Sequence, residues 1–292
     1  MRTIVAAIFL TPILALLSAR LQTTLQKVLA ARPVLVFLAP SILSAEFLAI
    51  AAAVDAFSAP LAILILIYTF VPALAAFAVR DRPPPAGMDF AIILWFWLPL
   101  EFAIGAGWIP RPAQGLLHIA AYGVAVTLAL ILFLLFRRLE GMKYNLPRSP
   151  RDLRNLLIGF AIAAPILIAV GRAIGFLDPF HLPPRLSLAR LGAQYLIILA
   201  ATALPEEMLF RGLIQNSLMH RLGAQFSTLL LAGFIFGCAH LDNGPQALPN
   251  WRYMVVATIA GVIYGKVFER SSSVFASAGL HALVNTIKHN FF

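Results

Sequence analysis

Of the 12 acidic residues in this 292-residue chain, two are adjacent, in the run Pro205-Glu206-Glu207-Met208-Leu209-Phe210-Arg211. On a helix, Glu207 and Arg211 are four apart and share a face. Glu206 is five from Arg211, about 140° round the helix, and faces elsewhere. Arg211 is therefore expected to neutralise Glu207, while Glu206 needs a partner from another helix. A desolvated carboxylate without a cation suits general acid or base work. A plain helix salt bridge with the second glutamate in a loop fits the same residues. Pro205 fits a kink or a helix restart.

Two further pairs share the four-residue spacing: Phe236 with His240, and His281 with Asn285. His240 ends an apolar run, where a histidine meeting solvent is the simple alternative. Cys238 beside it reads as a small packing residue. His281 and Asn285 lie inside the last apolar run, where an unpaired imidazole or amide costs several kcal/mol. Their face should look at a polar group or a water cavity, unless the two form a structural hydrogen-bonded pair. Together these groups could hydrolyse a bond: a carboxylate and an imidazole to activate water, a second imidazole and an amide to hold an oxyanion. Glu206, His240 and His281 could instead ligate zinc, although the spacing His-Glu-x-x-His is absent. No Ser–His–Asp set is evident.

The elements that must position these groups follow from composition. The chain is 61% hydrophobic and 12% charged, with mean hydropathy +0.89; a soluble domain carries about 25% charged residues. A soluble enzyme, a disordered chain and a disulfide scaffold are disfavoured, and one cysteine forms no internal disulfide. Period-2 alternation is lacking, which excludes membrane β-barrel strands. The expectation is an all-α, polytopic transmembrane bundle of eight to ten spans, drawn as ten. They run roughly 3–19, 34–54, 60–79, 88–106, 115–136, 155–177, 188–212, 225–240, 253–269 and 273–289. With these boundaries Glu206 lies toward the inner end of its span and His240 near the outer end of the next. Acting together then requires a shift or kink at Pro205, or a deeper start for 225–240.

The net charge of +10 reads as loop topology rather than a nucleic-acid patch. Arg20, Lys27, Arg32, Arg80, Arg82, Arg137, Arg138, Lys143, Arg148, Arg151 and Arg154 follow odd-numbered spans, as do Arg221, Lys266 and Arg270. Arg111, Arg185, Arg190 and Arg252 follow even-numbered ones. The positive-inside rule then puts the 137–154 loop in the cytoplasm and both termini outside, in what reads as a prokaryotic cytoplasmic membrane. Residues 1–19 are expected to stay as a helix, because basic residues follow at once and Leu17 is large for a cleavage site. The polar 137–154 segment divides residues 1–150, of unassigned role, from 151–292, where the buried polar groups concentrate.

The run Pro205–Gly212, then Phe236-x-x-x-His240, then His281-x-x-x-Asn285, with the stretch from Gly261 through Tyr264-Gly265 and Ser273 to His281, resembles the CPBP family of intramembrane proteases. That family holds the type II CAAX prenyl endopeptidases and the Abi bacteriocin-processing proteins. The resemblance covers about residues 155–292. It implies that Glu206 and His240 activate water, that His281 and Asn285 form the oxyanion site, and that Glu207 and Arg211 support it. It implies a glutamate-dependent peptidase with no cofactor, zinc being the alternative. The implied partners are membrane lipid and a peptide or protein substrate, for which a lipidated CAAX-type chain, a leader peptide and a sorting tail are equally suitable. A non-catalytic immunity or regulatory protein on the same scaffold is the second reading. A transporter using Glu46 and Glu101 is the third, and no internal repeat supports it.

Overall fold

A computed structural model describes residues 1–183, 187–244 and 247–292, so Arg185 lies outside the described residues. The described residues are helical, with no strand. They divide into two compact units, Met1–Glu140 and Gly141–Phe292.

The first unit holds α1 (Arg2–Ala15), α2 (Ala19–Ala31), α3 (Leu38–Ala53, entered through a 3-10 turn at Pro33–Phe37), α4 (Ala59–Ala78), α5 (Gly87–Glu101) and α6 (Arg111–Ala129). A π-helical stretch, Leu130–Phe136, prolongs α6. The Arg137 guanidinium donates to both oxygens of Asp89 at 2.9 Å, and both side chains are buried. Glu101 accepts from the Trp97 indole at 2.7 Å.

The second unit holds α7 (Pro150–Ala173), α8 (Leu188–Leu222), α9 (Phe226–Cys238), α10 (Trp251–Arg270) and α11 (Phe275–Phe291). Ser149 caps α7 and Asn250 caps α10 through their side-chain oxygens. The irregular segment before α7 and the first turn of α7 strap the α10–α11 turn. Lys143 Nζ donates to the Phe268 carbonyl at 2.7 Å, and Asp152 accepts from the Ser272 backbone N–H at 2.7 Å. These bonds set where α11 begins, and so where His281 and Asn285 fall along it.

The count of about ten spans is not confirmed. Among the described residues five helices are long and apolar enough to cross a membrane: Pro33–Ala53, Ala59–Ala78, Arg111–Phe136, Pro150–Ala173 and Leu188–Leu222. A sixth is reached only if α1 and α2, bent by 85°, form one span. Hydropathy registers apolar composition but not helix length. α5 and α9, of 15 and 13 residues, extend about 22 and 20 Å, short of a hydrocarbon core of about 30 Å. α10 has the length, with 20 residues, but carries Arg252, Lys266, Glu269 and Arg270. α11 has 17 residues and includes His281, Asn285 and Lys288.

α9 and α10 pack through glycines. A Cβ on Gly261 would sit 3.0 Å from Gly233 Cα, and one on Gly233 would sit 2.7 Å from a Val262 methyl. Small residues let two membrane helices approach until their backbones nearly touch. That approach brings Phe236 of α9 beside Tyr264 of α10. Gly261→Val is therefore expected to push the helices apart, lower the thermal unfolding temperature in detergent and reduce any activity at the site. An unchanged unfolding temperature would show that the contact tolerates a side chain.

Candidate active site

The two glutamates lie in an unusual part of α8. The helix widens to π geometry at Leu199–Ala203 and again at Met208–Gln215, with one α-helical turn, Leu204–Glu207, between them. Pro205 lacks an N–H and crowds the preceding turn, and a wide turn before it relieves that conflict. α8 neither stops nor restarts at Pro205. It continues to Leu222, ten residues past the expected end at 212.

This continuation removes the mismatch in depth. Glu206 precedes the α8 terminus at Leu222 by sixteen residues, and His240 follows the start of α9 at Phe226 by fourteen. At about 1.5 Å per residue the two stand roughly 24 and 21 Å from the α8–α9 turn.

Glu207 and Arg211 form the expected ion pair, Nε to Oε2 at 3.2 Å, with both side chains fully buried. The spacing does not reveal the second partner of Glu207: His281 Nδ1 lies 3.2 Å from Oε1. Glu207 is anionic beside Arg211 and can only accept, so His281 Nδ1 donates and the other ring nitrogen is free to face the site. His281 Nε2 points at Glu206 Oε2, 3.9 Å away. That is too long for a direct hydrogen bond, and this buried Glu206 oxygen has no hydrogen-bond partner. The ring of His281 thus stands between the two carboxylates.

His240 Nδ1 lies 2.8 Å from the Phe236 carbonyl. A carbonyl only accepts, so the proton is on Nδ1 and Nε2 presents a lone pair in the neutral ring. This bond exists because α9 ends at Cys238 and leaves the carbonyl of its last turn without a helical donor. Phe236 is 2% exposed and is the common neighbour. Its ring centre is 4.8 Å from that of His240, 5.8 Å from that of His281 and 4.5 Å from the Arg211 guanidinium carbon. Tyr264 stacks on His281 at 5.0 Å, and Tyr253 meets His240 edge to face at 4.5 Å.

His240, His281 and Asn285 line one cavity with Phe236, Tyr253 and Tyr264. It encloses about 70 Å3, room for water, and totals about 670 Å3 with its open mouth. Glu206 contacts the His281 side of this cluster and is not in the cavity wall. Among the described residues no three His, Cys, Asp or Glu side chains converge to hold a metal ion. The zinc set Glu206, His240 and His281 is not assembled, and the Nδ1 of His281 is already engaged. Tyr253 and Lys288, which line the cavity, are not marked by the spaced motifs of the sequence. Lys288 extends a helix face already marked, because it follows Asn285 by three.

Residues 189–287, about a third of the chain, match the family model described as type II CAAX prenyl endopeptidase Rce1-like. The match supports a CPBP-family protease and, with the apolar helices, an integral membrane protein. No curated protein and no solved structure shows significant similarity.

Proposed function

From a CPBP-type core at residues 189–287, we propose that the protein is a glutamate-dependent intramembrane endopeptidase. The observation that carries this reading is the cluster Glu206–His281–Glu207–Arg211, with His240 and Asn285 facing the same cavity as His281. In this mechanism a water drawn from the cavity to its His281 side, where Glu206 lies, gives a proton to Glu206, while His240 Nε2 accepts its other hydrogen bond. The resulting hydroxide attacks the peptide carbonyl carbon. The oxyanion accepts hydrogen bonds from the Asn285 amide and from His281 Nε2 when that ring carries both protons. The tetrahedral carbon then expels the amine, which takes the proton from Glu206 as the C–N bond breaks. Glu207 and Arg211 hold the His281 ring in place.

Residues 1–150 provide membrane helices outside this core. The protein sits in a prokaryotic cytoplasmic membrane with both termini outside. A lipidated CAAX-type peptide is the favoured substrate, over a leader peptide or a sorting tail.

The test is a cleavage assay with purified protein in proteoliposomes, offering an S-farnesyl CAAX peptide, its unprenylated form and a leader peptide, with products read by mass spectrometry. Cleavage of the farnesyl peptide is expected, and it should persist after chelation with metal removal verified. Absence of cleavage of all three peptides sinks the peptidase reading. Loss on chelation with recovery on adding zinc sinks its metal-free form.

A further inference from the structure

His281, Asn285 and Lys288 follow one another at spacings of four and three, which places them on one face of α11. All three line the cavity. The Lys288 ammonium lies 4.6 Å from the ring centre of Phe176 and 4.5 Å from that of Tyr253. Among the described residues no carboxylate pairs with it. A cation held by ring faces is positioned without being neutralised, so Lys288 presents an uncompensated positive charge to the cavity. The remaining wall around it is apolar, with Leu167, Val256, Val284 and Ile287.

We propose that Lys288 anchors the free C-terminal carboxylate of the peptide substrate, about three residues beyond the bond that is cut. This rests on the peptidase reading above. Two distances set the reach. Tyr253 has the His240 ring centre at 4.5 Å and Lys288 Nζ at 4.5 Å, so the ammonium is at most about 9 Å from that ring. Along α11, seven residues separate His281 from Lys288, a rise of about 10.5 Å. Three extended residues span about 10 Å, which carries a chain from a carbonyl at His281 to a carboxylate at Lys288. The intervening side chains would lie against the apolar wall. Lys288 is a specificity residue in this arrangement and takes no part in proton transfer.

The experiment uses the N-acetyl S-farnesyl peptide Cys-Val-Ile-Met as the free acid and as the C-terminal amide. It is run with the full chain in phosphatidylcholine vesicles, where no anionic headgroup competes. The wild type is expected to favour the acid in kcat/KM by about tenfold or more, mainly through KM, the size of a lost charge-assisted contact. Lys288→Met should handle acid and amide alike, and Lys288→Arg should retain the preference. Thermal unfolding of both variants checks that they fold. Equal handling by the wild type, or a preference that survives Lys288→Met, overturns the proposal. Binding to Glu206→Gln protein, with and without Lys288→Met, separates the two claims. Acid-selective binding that depends on Lys288, without cleavage by the wild type, keeps the anchor and removes the peptidase. Cleavage without acid selectivity does the reverse, and binding of neither form removes the anchor.

Discussion

Replacing Glu206 with glutamine should reduce kcat/KM for peptide cleavage by roughly a thousandfold while leaving the protein folded. Loss of a positioned general base or acid costs about 10²- to 10⁴-fold. In this mechanism Glu206 serves as both, first accepting the water proton and then returning it to the amine. Glutamine has the same shape and cannot accept the proton. The fold should tolerate the exchange because the Arg211 ion pair belongs to Glu207. Glu206 faces His281 Nε2 at 3.9 Å, too far for a direct hydrogen bond that the exchange would break. The measurement is steady-state cleavage in proteoliposomes beside thermal unfolding in detergent. A Glu206→Gln enzyme within tenfold of wild type, with unchanged unfolding, would falsify the assignment of Glu206 as the proton-transferring group. His240→Ala should also lower the rate strongly, because in the proposed mechanism Nε2 of His240, free while Nδ1 is held by the Phe236 carbonyl, accepts a hydrogen bond from the attacking water.

The second large effect is on stability. Arg211→Ala should destabilise the second unit by about 3–5 kcal/mol, the usual consequence of leaving one member of a buried ion pair alone. Both Arg211 and Glu207 are 0% exposed, so water cannot replace the missing charge. The guanidinium also lies 4.5 Å over the Phe236 ring, and that contact is lost as well. The released Glu207 would no longer be fixed against His281 Nδ1, so activity should fall with stability. A double change separates charge from packing. Glu207→Leu with Arg211→Met removes both charges and keeps apolar bulk, so it should recover part of the stability without recovering cleavage. Chemical denaturation in mixed micelles reads the first effect and peptide turnover the second. An Arg211→Ala protein as stable as wild type would show that the buried pair contributes little.

Local spacing was legible over a single turn. Glu207 and Arg211 are four residues apart and pair at 3.2 Å even though the turn between them widens at Met208. The same rule placed His281 and Asn285 on one face, and both line the cavity. The π turns on either side of Leu204–Glu207 were not legible, because a widened turn results from Pro205 and from neighbouring contacts rather than from a periodicity. The span count erred for a related reason. Apolar runs such as 88–106 and 225–240 measure how long lipid-compatible composition lasts, while the helices within them end at Glu101 and Cys238.

The sequence by itself determined the all-helical class and the three spaced motifs. Each of these depends on residue type and on separations of a few positions along one helix. Only the tertiary structure decided that His281 stands between Glu206 and Glu207, 74 residues away in the chain from the latter. It also decided that Phe236 gathers His240, His281 and Arg211 around one ring. Lys288 comes to face the same cavity between Phe176 and Tyr253. Such contacts join helices through backbone approach at glycines such as Gly233 and Gly261. The geometry of that approach is a property of two packed surfaces, and neither helix carries it alone.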